Sequence, residues 1–214
     1  MKIFIVSLFF AFSLLACAQQ QPGALAIPLG DAKAPVGKEA VANFAEGCFW
    51  HAEIVFQSLN GVRDAVSGYA GGKDRHPSYE KVASGETGHA ETVQVYYDPT
   101  KISYETLVAA FFASQDPTTL NRQGNDEGTE YRSIAFYRND TEKQIIEKTI
   151  QQLTSAKKYS SKIVTEVVPF TQFYPAEDYH QEYIYHNPQN PYVQNVSIPD
   201  FLAFKKEFKG SFKQ

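Results

Sequence analysis

Between residues 41 and 137, apolar residues recur by turns at period two and at helical spacing, in the order strand, helix, strand, strand, helix, strand. That order is the split βαβ pattern, and it predicts an α+β chain with a two-layer, ferredoxin-like core and long loops. The strand candidates cover residues 41–45, 62–69, 91–97 and 133–137. The third places Val93, Val95 and Tyr97 on one face before Asp98-Pro99 stops it. The first helix candidate, residues 49–59, carries Ile54, Val55, Phe56 and Leu59 and ends at Asn60-Gly61. Ser103 caps the second, which carries Leu107, Ala110 and Phe111. Farther on, Thr141 and Gln144 read as a capping box for a helix with Ile146, Ile150 and Leu153, and residues 162–168 as a fifth strand.

Three irregular stretches, residues 68–88, 116–131 and 169–191, interrupt the pattern. A two-layer core does not need them, and their glycines and aromatics predict packed loops that line a site.

The first sixteen residues hold one charge, Lys2, and only Ser7 and Ser13 interrupt the apolar run that follows it. The run is short for a bilayer span and fits the core of a signal peptide. Leu14-Leu15-Ala16-Cys17 then resembles the lipobox of bacterial lipoproteins, whose cysteine is acylated and becomes the new N-terminus. An ordinary cleaved signal is the alternative. Either reading puts the mature chain in the cell envelope, facing the periplasm or the exterior, and lipid on Cys17 would tie it to a membrane. The expected organisation is a signal at 1–16, a lipidated N-terminus and flexible tether at 17–40, and a folded unit at 41–214 that is expected to act as a monomer.

Lys and Arg number 20 against 24 Asp and Glu, a net charge of −4 with no basic run, which excludes nucleic acid as the main partner. Two cysteines, Cys17 and Cys48, exclude a disulfide framework and a four-thiolate metal site. Without H-E-x-x-H or paired Cys/His spacing, no metal is expected.

Cys48 lies between a strand candidate and the first turn of a helix, in Glu46-Gly47-Cys48-Phe49-Trp50, where free N–H groups and the helix dipole favour a thiolate. Such a position can bring a thiol pKa from about 8.5 toward neutrality or below. A buried structural cysteine is the alternative. His89, His180 and His186 are each candidate bases for a cysteine hydrolase, or hydrogen-bond donors inside packed loops. Glu91, at a strand start beside His89, is either a partly buried proton donor or a solvated carboxylate.

Taken together the motifs resemble those of the A-type peptide methionine sulfoxide reductases. Gly47-Cys48-Phe49-Trp50 with Glu53 is similar to that family's nucleophile motif. Gly68-Tyr69-Ala70-Gly71-Gly72, Pro77-Ser78-Tyr79, Gly88-His89-Ala90-Glu91, Gln123-Gly124-Asn125-Asp126, Tyr131-Arg132-Ser133 and Ala176-Glu177-Asp178-Tyr179-His180-Gln181 follow in the family's order, over residues 41–193.

The resemblance implies that Cys48 attacks the sulfoxide sulfur and is left as a sulfenic acid, with Glu91 protonating the departing oxygen and Tyr79 and Tyr131 polarising it. Phe49 and Trp50 would cradle the substrate methyl group, and Asp126 would orient the sulfoxide. The substrate would be methionine S-sulfoxide, free or in proteins. No cofactor would be bound, the reductant being an external thiol from a thioredoxin-like protein or a small molecule. Many members carry a resolving cysteine in a Gly-rich tail, but no cysteine follows Asn187-Pro188 here. The tail reads instead as a helix over 197–209, capped by Ser197 and Asp200, with Phe201, Phe204 and Phe208 on one face. Two other classes keep the lipobox. An envelope Cys/His hydrolase requires His89 or His180 on the Cys48 sulfur, and a non-catalytic surface lipoprotein requires Cys48 buried and inert.

Overall fold

A computed structural model describes residues 34–213, so the signal segment, Cys17 and most of the tether lie outside the described residues. Along the chain run β1 (Ala40–Glu46), α1 (Phe49–Gln57), β2 (Val62–Ala70), α2 (Tyr79–Ala83), β3 (Ala90–Tyr97) and α3 (Tyr104–Ala113). A small hairpin follows, β4 (Arg122–Gln123) with β5 (Asp126–Glu127), and then β6 (Ser133–Tyr137), α4 (Asp140–Ser155), β7 (Glu166–Pro169), β8 (Phe173–Pro175), α5 (Tyr183–His186) and α6 (Ile198–Glu207).

The fold is mixed α/β around a six-stranded sheet of order β7-β6-β1-β3-β2-β8. All pairs in it are antiparallel except β6 with β7, whose parallel pairing requires the crossover that α4 provides. The period-two pattern decides which side chains meet the helices. Phe44 of β1 sits opposite Val93 of β3 and Ala135 of β6, and its ring stacks on Phe56 of α1 at 5.1 Å and Phe111 of α3 at 5.2 Å. Val93, Val95 and Tyr97 join the same core, on the face that the alternation predicts. The other face carries a smaller apolar cluster of Ala45, Ala70, Ala90, Ile134 and Phe136, covered by Phe173 and Phe170.

Three local expectations need correction. The cap of α4 is Asn139, whose side chain accepts from the Glu142 N–H at 2.9 Å and donates to Glu142 Oε1 at 3.1 Å. Asn is a stronger cap than Thr, so the box closes two residues before Thr141 and Gln144. The fifth strand starts at Glu166, not at 162. In the tail, a π-helical stretch (Val193–Ser197) runs straight into α6, so Ser197 is already helical at φ −61°, ψ −45° and caps nothing. The aromatic face of α6 is as expected, with Phe201 and Phe204 buried and Phe204 stacked on Phe208 at 5.0 Å.

Candidate active site

Two residues separate the end of β1 from the start of α1. Gly47 turns the chain there at φ +99°, and a Cβ in its place would lie 2.6 Å from Gln123 Cβ, so the turn admits only glycine without displacement. Cys48 becomes the N-cap of α1, and its carbonyl accepts from the N–H groups of His51 and Ala52. Its sulfur faces the N–H groups of Trp50 and His51 at the open end of the helix.

Glu91 lies on β3 two residues before Val93, on the helix side of the sheet. There its Oε2 accepts the Phe49 N–H at 2.9 Å. Tyr79 opens α2, Tyr131 ends a one-turn 3₁₀ helix (Thr129–Tyr131) and Asp126 opens β5. These elements converge on a cavity of about 300 Å³ lined by Cys48, Phe49, Trp50, Tyr79, Glu91, Asp126 and Tyr131, together with Asn190 and Tyr192. All seven candidate site residues of the folded unit therefore share one wall, while Cys17 lies outside the described residues.

The aromatic wall is held from behind. Trp50 lies flat on Tyr183, 3.6 Å between ring centres and 5° between planes, and its indole N–H donates to His180 Nδ1 at 3.1 Å. His180 must then carry its own proton on Nε2. Burial lowers its pKa, which keeps it neutral. His89 accepts the Gly72 N–H on Nδ1 at 3.0 Å and turns Nε2 to the Asp74 carbonyl at 2.8 Å. His186 is exposed beside Glu182, 3.4 Å away. Among the described residues no histidine side chain bonds the Cys48 sulfur, and the sulfur lines an open cavity. The geometry a Cys/His hydrolase needs and the inert burial a non-catalytic module needs are both missing.

Charge in the cavity differs from the expectation for a helix-start cysteine. Burial and the nearby Glu91 carboxylate push the Cys48 thiol well above its ordinary value, and the two helix N–H groups offset only part of this. Taking a thiolate out of water costs more here than the helix end returns. Burial also raises Glu91 to about 8, against the lowering effect of the Phe49 N–H. Tyr79 is pushed up to about 12, by burial first and Glu91 second, and Tyr131 is pushed up by the same two causes. At neutral pH the cavity thus holds a protonated Glu91 facing a protonated Cys48.

Sequence reasoning missed Tyr192 and Asn190. Tyr192 donates to Asp126 Oδ2 and meets Trp50 edge-on at 6.0 Å, while Asn190 Oδ1 accepts the Tyr192 N–H at 2.8 Å. The signal available was Asn190-Pro191-Tyr192 directly before the tail helix, a segment read only for the cysteine it lacks.

A family profile described as peptide methionine sulfoxide reductase matches residues 40–211. A peptide methionine sulfoxide reductase of Pasteurella multocida is 49% identical over 172 residues, which cover 80% of this chain and 98% of that one. One from Rhodopirellula baltica is 47% identical over 175 residues, covering 82% and 90%. Among solved structures, the reduced form of Mxr1 from Saccharomyces cerevisiae superposes with a TM-score of 0.69 at 37% identity, covering 77% of this chain and 94% of the yeast chain. A second yeast structure, of Mxr1 in complex with Trx2, gives 0.51 at 28% identity over 73% and 93%.

Proposed function

The chain belongs to the peptide methionine sulfoxide reductase family, and from that membership we propose how its own residues work. It is an oxidoreductase that uses thiols to reduce methionine sulfoxide, an activity of protein repair. The observation that carries the residue assignment is the placement of the buried Glu91 carboxyl in the same cavity as Cys48, within a wall of Phe49 and Trp50, where burial favours its protonated form. Cys48 attacks the sulfoxide sulfur while Glu91 gives its proton to the oxygen, and Tyr79 and Tyr131 hold that oxygen as charge grows on it. A sulfur–sulfur bond forms as the sulfur–oxygen bond breaks, and the released hydroxide, or water in its place, then attacks the Cys48 sulfur and breaks the sulfur–sulfur bond, freeing methionine. The methionine sulfur gains two electrons and Cys48 loses two, becoming a sulfenic acid. The S epimer, free or in proteins, is the substrate this arrangement is assigned.

Cys48 is the one free cysteine among the described residues, so the oxidised form is recycled from outside. A donor thiol displaces water from the sulfenic acid to give a mixed disulfide, and a second thiol releases Cys48. The yeast relative crystallised with Trx2 supports a thioredoxin-like donor, and a small dithiol serves the same chemistry. The central order β6-β1-β3-β2 supports a ferredoxin-like description of the core. Leu14-Leu15-Ala16-Cys17 supports a lipidated, membrane-tethered protein in the envelope, which predicts that Cys17→Ala abolishes lipid labelling and releases exported protein from the membrane fraction. The deciding experiment is mass spectrometry of the protein after one turnover with methionine S-sulfoxide without reductant. One added oxygen on Cys48 and one equivalent of methionine are expected. Methionine formed with an unmodified Cys48 would reject the assignment.

A further inference from the structure

If Cys48 rests as a thiol and Glu91 already carries the proton it donates, the thiol proton needs another acceptor when the sulfur attacks. The titratable groups that face the sulfur are Glu91 from β3, Tyr79 from α2, Tyr131 from the 3₁₀ turn, Asp126 from β5, and Tyr192 from the segment leading into the tail. Only one of the three phenols has a hydrogen bond to a carboxylate that also lines the cavity: Tyr192 donates to Asp126 Oδ2. Its phenol lines the same cavity wall as Cys48, close enough for the sulfur to perturb its ionisation. Asn190 fixes the backbone that presents it, and the edge of its ring is set against Trp50.

We propose that Tyr192 and Asp126 form a proton relay that takes the Cys48 proton as the sulfur attacks, making Tyr192 a further catalytic residue. The S–H proton passes to Tyr192 Oη as the Oη proton passes to Asp126, while Glu91 protonates the sulfoxide oxygen. Two carboxylates thereby take opposite roles in one cavity, Glu91 as acid and Asp126 as base. Once the sulfenic acid has formed on Cys48, the proton on Asp126 returns through solvent to Glu91, and no proton is gained or lost in the cycle. The relay rests on Cys48 being the nucleophile of the reductase reading, yet it can be tested without a sulfoxide.

The test is the rate of Cys48 alkylation by iodoacetamide against pH, for the parent, Tyr192→Phe, Asp126→Asn and the double variant. The Asp126 charge itself raises the Cys48 thiol, so its loss alone would speed alkylation and move the rise to lower pH. A relay predicts instead that each single variant slows alkylation near pH 7 by about tenfold, with the double variant no slower than either single one. Effects that multiply in the double variant, or a Tyr192→Phe profile identical to the parent's, would overturn it. Single-turnover oxidation of the same four proteins by methionine S-sulfoxide separates the two readings. Altered alkylation with no sulfoxide reduction in the parent would reject the reductase assignment alone, and normal reduction by Tyr192→Phe would reject the relay alone. Should Tyr192→Phe fail to fold, as judged by circular dichroism, fluorotyrosine in place of the tyrosines, with a Tyr79→Phe control, keeps the test open. Its more acidic phenol must then shift the alkylation profile.

Discussion

Burial acts on Cys48 and Glu91 in the same direction, raising both, so that at neutral pH each keeps its proton and the cavity is spared two like charges. Cys48→Ser keeps the size of the side chain and removes the nucleophile, so sulfoxide reduction should fall below a small percentage of the parent with the fold intact by circular dichroism. Turnover above that level would assign the attack elsewhere. Glu91→Gln still accepts the Phe49 N–H but has no proton to give, and the single-turnover rate should drop by about 10²-fold or more while binding changes little. Because Glu91 must be protonated to act, the parent's kcat/KM should fall as pH rises through about 8, and that limb should be absent in Glu91→Gln. The positions of both residues were legible, since Gly47-Cys48-Phe49-Trp50 and Gly88-His89-Ala90-Glu91 are contiguous motifs. Their protonation states were not, because the groups that desolvate Cys48 come from β3, β5 and the tail, which no local pattern connects.

At the scale of elements, period and punctuation located the four central strands and α1 to within about two residues and the start of α3, while α2 fell inside the stretch read as irregular, and caps and edges were where the reading slipped. Thr141 and Gln144 have the right spacing for a box, but Asn139 starts the helix two residues earlier, and the Lys143 N–H that a Thr141 cap could serve already donates to the Asn139 carbonyl. Asn139→Ala should therefore cost about 1 kcal/mol in urea denaturation, whereas Thr141→Ala should cost only a few tenths. Equal losses would restore the cap to Thr141. The edge strand β8, three residues with Pro175 at its end, was illegible because it has no room for alternation; it pairs through Phe173 and Tyr174 with Ala70 and Tyr69. The tail was half legible. The Phe201, Phe204 and Phe208 face is a sequence pattern, but the π-helical stretch that runs into it has no sequence period of its own, and α6 takes its place by packing against α1. The same dependence on neighbours governs Gly47, where Gly47→Ala would press on Gln123 and tilt Cys48 at the helix start.

For the molecule as a whole, the site is tied into stability because its acid is buried in the same core that holds the sheet to the helices. Glu91 holds its proton up to about pH 8 in the folded chain and, near its ordinary value of 4.5, loses it when unfolded. Glu53 does the same, raised to about 8 by burial although Ser67 Oγ and the Glu182 N–H donate to its carboxylate. Between about pH 4.5 and 8 the folded state therefore binds more protons than the unfolded state. The sign follows: the stability these groups contribute is fully present below 4.5, declines as pH rises, and is lost above 8. Each group adds a slope of about 1.4 kcal/mol per pH unit in that window. Glu91→Gln removes one such slope and leaves the Phe49 N–H with an acceptor. Urea unfolding at pH 5, 6, 7 and 8 should show the parent losing stability relative to Glu91→Gln across the series, with the gap no longer changing above pH 8. Parallel stability curves for the two proteins would mean that Glu91 is ionised in the folded state, and the proton donor would then have to be sought in Tyr79 or Tyr131.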